Sequence, residues 1–446
     1  MKKLMLIALA LLMIVSLFAG CQKETPAAPN VQEPADSATV AADNKPAERI
    51  EIVYWHTMTD NHEAALLARI EKFNASQDLY TVVAQQQPYS EVKAKLMQAT
   101  AAGVGPDIYS MFPTEAAFYM EENYLYDLRP FIDDPEIGIP NYDERYPEGT
   151  MRMITFDNPE SLYMMPPSSA TGEVLYYNKT MFDALGIEEP KTWTDIENAS
   201  KKIYDAYGIP GFGSDSITDT YQTLIMQAGS GYVDTATNTM AIDRTIGLEK
   251  LNWFVDGCKA GYFRLVGEDF YFSNPFGSQA IGMYIGSSAG MMYAEMAIPA
   301  EGTDGHFEMG VCPIPQEGPV KYISNWAGGY AVLSKDEAHA KGSYEFIKYL
   351  TSLENGIDEV LSNPGNMPIW EELANSPEVV EYVKTDVATL AMIEQREYLG
   401  YLPTPKGADD LRTEIDKMVQ TAALGTVDPE TAFDTMIAAC NALLAQ

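Results

Sequence analysis

The sequence predicts an α/β fold, and three observations carry that expectation. From residue 50 onward, short runs of β-favouring residues alternate with helical apolar patterns. The 446 residues are 46% hydrophobic and 21% charged, which is a globular composition with length for two or three domains. One stretch, residues 171–197, sets a strand, a short helix, a proline turn and a capped helix in close succession. Alternation of this kind implies a mainly parallel, doubly wound sheet with right-handed crossovers, and such sheets bind ligands beyond the carboxyl ends of their strands.

The elements follow in order. Glu51-Ile-Val-Tyr-Trp55 reads as a strand. Asp60 can cap a helix with Glu63 three residues on, and Leu66, Ile70 and Phe73 form its buried stripe. Tyr80–Ala84 is a second strand, residues 90–102 a helix, and Gly103-Val-Gly-Pro-Asp107 turns into a third strand at Ile108-Tyr109. In the central stretch Val174, Leu175, Tyr176 and Tyr177 make a strand; a short helix runs through Met181, Phe182 and Leu185 and ends at Gly186. Thr194-Asp-Ile-Glu197 reads as a capping box opening the next helix. Further helices are expected near Asp219–Gly229, over Thr245–Ala260 and over Ala340–Thr351, and Asp428-Pro429 as an N-cap followed by proline.

The run Leu175-Tyr-Tyr-Asn-Lys179, with Gly186 and Pro190-Lys-Thr-Trp193 behind it, closely resembles a signature of the extracellular solute-binding proteins of bacterial ABC importers, sugar-binding branch. Tyr54-Trp-His-Thr-Met58, Gly105-Pro-Asp-Ile108, the stretch Gln279–Gly290, Val311-Cys-Pro-Ile-Pro315 and Asn366-Met-Pro-Ile369 resemble further family motifs, in the family's order. Trp55-His-Thr-Met58 resembles in particular the subgroup that includes glycerol-3-phosphate binders as well as sugar binders. The resemblance implies a type II periplasmic-binding-protein-like fold: two doubly wound lobes joined by a hinge, with C-terminal helices. Lobe I would take residues 49–168 and 326–374, and lobe II residues 169–325 and 375–446.

The same resemblance, with the strand-end rule, places ligand contacts. After the first strand stand Trp55, His56, Thr57, Thr59 and Asp60; after the third stand Ser110, Phe112 and Glu115. At the crossings stand Thr171 and Gly172, then Trp326, Gly328 and Gly329. Ser287 and Ser288 occupy a loop where sugar binders often carry an aromatic ring, and two hydroxyls there suit a polyol or a phosphate oxygen. Tyr398 and Tyr401 sit where the family often places another aromatic contact, and Lys406 or Arg412 nearby could serve an anionic ligand. For Trp55 and Trp326 the alternative is a place in the lobe core. The implied function is capture of a carbohydrate for a membrane permease with a separate ATPase, by a monomer. Polyol-phosphate binding is the alternative within the family.

Lys2 and Lys3, the apolar run Leu4–Phe18 and Leu17-Phe-Ala-Gly-Cys21 read as a signal peptide over residues 1–20, ending in what looks like a lipobox with Cys21 as the acylated residue. Residues 21–48, rich in Ala, Pro, Asp and Glu, are then expected to be a disordered tether. The formal net charge of −35 repels phosphate backbones, so no nucleic-acid partner is expected. Cys258, Cys312 and Cys440 lack zinc-ligand spacing and are expected to be unpaired small hydrophobes. No cofactor or metal is expected. His56, His62, His306 and His339 form no metal motif, and neither a nucleophile elbow nor a phosphate-binding glycine loop occurs. A secreted hydrolase of glycans, using a carboxylate pair, remains the competing class, and a purely structural lipoprotein a third.

Overall fold

A computed structural model describes residues 49–326, 328–333 and 336–445; the expected signal peptide, Cys21 and the tether lie outside the described residues. Two sheets organise the chain. The strands of the first are β1 (Ile50–His56), β2 (Tyr80–Gln86), β3 (Ile108–Met111) and β4 (Met164–Met165). Those of the second are β5 (Glu173–Asn178), β6 (Phe212–Ser214), β7 (Met283–Ser287) and β8 (Met309–Cys312). The chain then returns to the first sheet as β9 (Gly329–Val332). The spatial orders are β2-β1-β3-β9-β4 and β8-β5-β7-β6.

Only part of the pairing is parallel. β1 runs parallel to β2, from Ile50↔Tyr80 to His56↔Gln86, and to β3, because helices 60–76 and 92–101 carry the chain back across the sheet. β9 is antiparallel to β3 and to β4: it arrives from the second lobe through a hinge segment, so no crossover helix sets its direction. β5 is antiparallel to both its neighbours, β7 and β8. The expectation of mainly parallel sheets therefore yields to mixed ones: β9, the returning strand, runs against its neighbours in the first sheet, and β5, the entering strand, does so in the second.

β5 shows how sequence becomes layer. Val174 and Tyr176 point into one core, with Tyr284 of β7; Leu175 points into another, with Met283 and Ile285. Both faces of the second sheet are covered, which explains why β5 reads as a continuous apolar run rather than an alternating one. The first lobe has its own core, built on Ile52, Tyr54, Phe73, Phe346 and Trp370. The chain passes between the cores from Met165 to Val174, from Ile323 to Tyr330, and from Val379 to Ala391. Helix Pro377–Tyr382 thus still packs on the first lobe, through Val379, before the tail returns to the second.

The second-lobe helix opens two residues earlier than expected. Its cap is Thr192, whose Oγ1 accepts the Asp195 N–H at 3.0 Å while Asp195 Oδ2 accepts the Thr192 N–H at 2.9 Å, a reciprocal box. Thr194 and Glu197 do other work. Thr194 donates to Glu317 Oε1 at 2.8 Å, and Glu197 accepts from the Trp253 indole at 3.0 Å. Gly186 does end the preceding helix in the left-handed region, at φ 59°. Asp428 accepts from the Thr431 N–H ahead of Pro429. Cys312 and Cys440 are buried, Cys258 is half-buried, and among the described residues none of the three is paired. Among the described residues no helix is long and apolar enough to cross a membrane.

Candidate functional site in the interlobe cleft

A cleft of about 700 Å³ opens between the two lobes. Its first-lobe wall begins where β3 ends: Phe112, then Pro113 and Thr114 at the start of helix Pro113–Glu121. Tyr89 and Lys93, from the segment that follows β2, complete that wall. The second-lobe wall begins at two strand ends. Asp215 and Ser216 follow β6, and Ser287 closes β7. Tyr271 and Tyr293 project from the loop before and the helix after β7. Thr171, Asn325 and Trp326, from two of the passages between the cores, form the floor with Asp219 and Arg412. Both lobes thus present the carboxyl ends of their strands to one space, as wound sheets do.

The floor is held by charge. Asp219 is almost fully buried and meets Arg412 with both oxygens, at 2.6 and 2.8 Å. Burial alone would raise the Asp219 carboxyl; the guanidinium outweighs it, with Ser216 and the Trp326 indole adding to the effect, and holds it below the usual carboxylate range. The Trp326 Nε1 is buried on the same floor, near Asp219. Behind the floor, burial pushes the Glu173 carboxyl well up, and Asp219 and Asp215 add to that push. Asp215 is raised to about 7 by burial, against one opposing hydrogen bond from the Phe272 N–H at 2.7 Å.

The lobes also touch directly through side chains. Lys93 of the first lobe meets Asp409 at 2.9 Å, and Lys406 meets Glu122 of the first lobe at 2.9 Å. Glu115, beside this contact, is raised to about 7, by burial above all.

Of the expected contacts, Phe112, Thr171, Ser287 and Trp326 meet in the cleft lining. Ser288 and Gly172 lie just beneath it and hold each other. The Ser288 N–H donates to the Gly172 carbonyl at 2.8 Å, and the Gly172 N–H donates back to Ser288 Oγ at 3.3 Å. Trp55 stands in the first-lobe core, 6% exposed, its indole donating to Gln85 Oε1 at 2.9 Å beneath Lys95. His56 is buried with Glu63 at 3.9 Å, and burial lowers its pKa. Thr57, Thr59, Asp60 and Ser110 are not part of the lining, and Glu115 lies next to it, beside Lys93 and Asp409. Gly328 lines a small neighbouring cavity, and Gly329 packs against Met164 and Met165. Tyr398 lies under Lys321, and Tyr401 lies under the Arg152 guanidinium, 3.8 Å from its ring centre, with its hydroxyl on Asp157.

Among the lining residues that sequence reasoning passed over are Tyr89, Asp215, Asp219, Tyr271 and Tyr293. Asp215 was open to the strand-end rule, since it follows Phe212-Gly-Ser214 directly. Tyr271 and Tyr293 had no such signal. They sit on a short irregular loop and a two-turn helix, where no periodicity marks a facing side.

Comparison with known proteins agrees with this architecture. The bacterial extracellular solute-binding protein family matches residues 68–389, more than two thirds of the chain. The chain belongs to that family. This solute-binding protein is 23% identical over 420 residues to the sn-glycerol-3-phosphate-binding periplasmic protein UgpB of Yersinia enterocolitica, covering 88% of this chain and 92% of that one. In structure it is similar to the ABC substrate-binding protein Lmo0181 of Listeria monocytogenes, solved in complex with cycloalternan: TM-score 0.76, 19% identity, 89% of this chain and 100% of that one. It is similar as well to the GacH receptor of Streptomyces glaucescens, solved unliganded and with acarbose: TM-score 0.75, 17% identity, 90% and 99% covered. These likenesses give the two-lobed α/β fold; the proteins named are binding proteins.

Proposed function

We propose that this solute-binding protein is the capture component of an ABC importer and that its cleft takes a carbohydrate. One observation carries the reading. Aromatic rings from both lobes, Tyr89 and Phe112 on one side and Tyr271 and Tyr293 on the other, face a space floored by carboxylates, hydroxyls and the Trp326 indole. Sugars present apolar C–H faces and a rim of hydroxyls, and this lining matches both. Phe112, Thr171, Ser287 and Trp326 are contacts in this reading. Ligand touches both lobes only when they close, so binding draws an open–closed equilibrium toward closure. The lobes divide near residues 168 and 325 and again in the tail. The closed protein then docks on a permease driven by a separate ATPase, as a monomer, with no chemistry on its cargo.

A polyol phosphate is the second reading, favoured by relatives such as the sn-glycerol-3-phosphate-binding protein UgpB. Against it, the cations of the cleft lining are engaged: Arg412 by Asp219 and Lys93 by Asp409. Calorimetric titration across mono- and oligosaccharides and glycerol phosphates tests both. Saturable binding of a sugar, unchanged in composition after incubation, supports the carbohydrate reading. Turnover points to a hydrolase, and selective binding of glycerol 3-phosphate to the second reading.

Anchoring through an acylated Cys21 belongs to the same proposal. Cys21→Ser is expected to leave the fold intact and release the protein from membranes; a variant that stays acylated and membrane-bound would refute it.

A further inference from the structure

We propose that the ligand of this cleft carries a protonated amine and that Asp215 is the carboxylate that receives it. The inference rests on the carbohydrate reading above and narrows it to an amine-bearing sugar.

The argument is an accounting of charge. Arg412 is taken up by Asp219 and Lys93 by Asp409, which leaves Asp215 as a carboxylate in the lining with no side-chain cation against it among the described residues. Its Oδ1 accepts the Phe272 N–H, and its Oδ2 makes no hydrogen bond among the described residues. The titratable groups facing it are Tyr271 and Tyr284, which also line the cleft, and Tyr176 and Glu173 behind it. Every one of them is neutral or negative at neutral pH, so the protein itself leaves that carboxylate uncompensated.

The backbone has made room for it. A Cβ on Gly286 would stand 2.7 Å from Asp215 Oδ2, and one on Gly213 would stand 2.4 Å from the Phe272 ring that packs alongside. A carboxylate set among tyrosine rings is a receptor for an ammonium group, which gains a charge-assisted hydrogen bond from the oxygen and cation–π attraction from the rings. A phosphate would be repelled there, and an uncharged hydroxyl would leave the charge uncompensated. Burial raises the Asp215 pKa to about 7, against only the Phe272 N–H.

The test uses matched pairs in calorimetric titration: glucose with glucosamine, galactose with galactosamine, and cellobiose with its diamino counterpart, the chitosan disaccharide. At pH 7 at least one amine is expected to bind about tenfold or more tighter than its hydroxyl partner, and Asp215→Asn to erase that preference. In the wild type the preference is expected to shrink from pH 7 to pH 5.5, as Asp215 takes up its proton. That arm decides the matter if Asp215→Asn does not fold. Equal or tighter binding of the neutral partners overturns the amine proposal and leaves the carbohydrate reading standing. A preference that survives in Asp215→Asn moves the amine elsewhere and overturns the role of Asp215. Binding of no sugar in any pair overturns the reading on which the proposal rests.

Discussion

Arg412 is 193 positions from Asp219 in sequence, yet its two nitrogens close on that buried carboxylate and support the cleft floor. Removing one partner of such a pair leaves a buried charge with nothing to answer it, at a cost of about 3–5 kcal/mol. Arg412→Met is therefore expected to lower the unfolding free energy by about 3 kcal/mol in chemical denaturation, and Asp219→Asn in the same chain to restore much of the loss. The pH dependence has a definite sign. The Asp219 carboxyl is lowered in the folded protein, so its contribution is present above the ordinary Asp range and lost as pH falls through the lowered value. In Arg412→Met the loss should begin closer to neutrality. Trp326 makes the complementary case. It is half-buried on the same floor, so Trp326→Ala is expected to cost little stability but ~1–3 kcal/mol of binding, roughly 5–150-fold in affinity. A strongly destabilised variant with unchanged affinity would return Trp326 to the core.

Among the elements, helix Trp193–Tyr207 shows how a small shift of frame reassigns side chains. The sequence Thr192-Trp-Thr-Asp-Ile-Glu197 holds two overlapping candidates for a capping box. Local spacing does not choose between them. Glu317, 123 residues away from Thr194, does: its two oxygens take the Thr194 N–H and hydroxyl and leave Thr192 and Asp195 to cap each other. Thr192→Ala is expected to cost about 1 kcal/mol. Thr194→Ala, which retains the backbone N–H bond to Glu317, should cost less. Denaturant midpoints of the two variants separate them, and the reverse order would restore the later cap. The short strand β9 carries a similar lesson. Its pairing antiparallel to β3 follows from the route of the chain through the hinge, which no pattern within Gly329–Val332 records.

At the scale of the whole molecule, two lobes with separate cores are joined by the passages between them and by side-chain contacts from lobe to lobe. Those contacts are exposed: Lys93 with Asp409, Lys406 with Glu122, and Tyr401 between Arg152 and Asp157. Exposed ion pairs contribute about 0–1 kcal/mol each, enough to bias an open–closed equilibrium and too little to lock it. Solution scattering is expected to show compaction when ligand saturates the protein. The Lys93→Ala/Lys406→Ala double variant should be more expanded without ligand and still compact with it. A radius of gyration indifferent to saturating ligand would remove hinge closure from the account.

What the sequence determined by itself is what local chemistry can encode. It placed β1, β2 and β3 and the helices between them, because apolar period and turn residues are properties of neighbours in the chain. It marked the left-handed cap at Gly186 and the capped start at Asp428-Pro429, and the joint order of its motifs identified the family. Of the cleft lining it named Phe112, Thr171, Ser287 and Trp326, which stand at strand ends or crossings. Only the tertiary structure decided the rest. Trp55 and Phe112 both stand at strand ends of one lobe, yet Trp55 is taken into the core by Gln85 and Lys95 while Phe112 remains 41% exposed. Asp215, Tyr271 and Tyr293 come together from a strand end, a loop and a short helix, and Arg412 is tied to Asp219 across nearly half the chain. The physical reason is common to all of these. Burial, ion pairing and facing direction depend on what packs opposite a residue, and in a chain that crosses its own hinge repeatedly the opposing residue is almost never a neighbour in sequence.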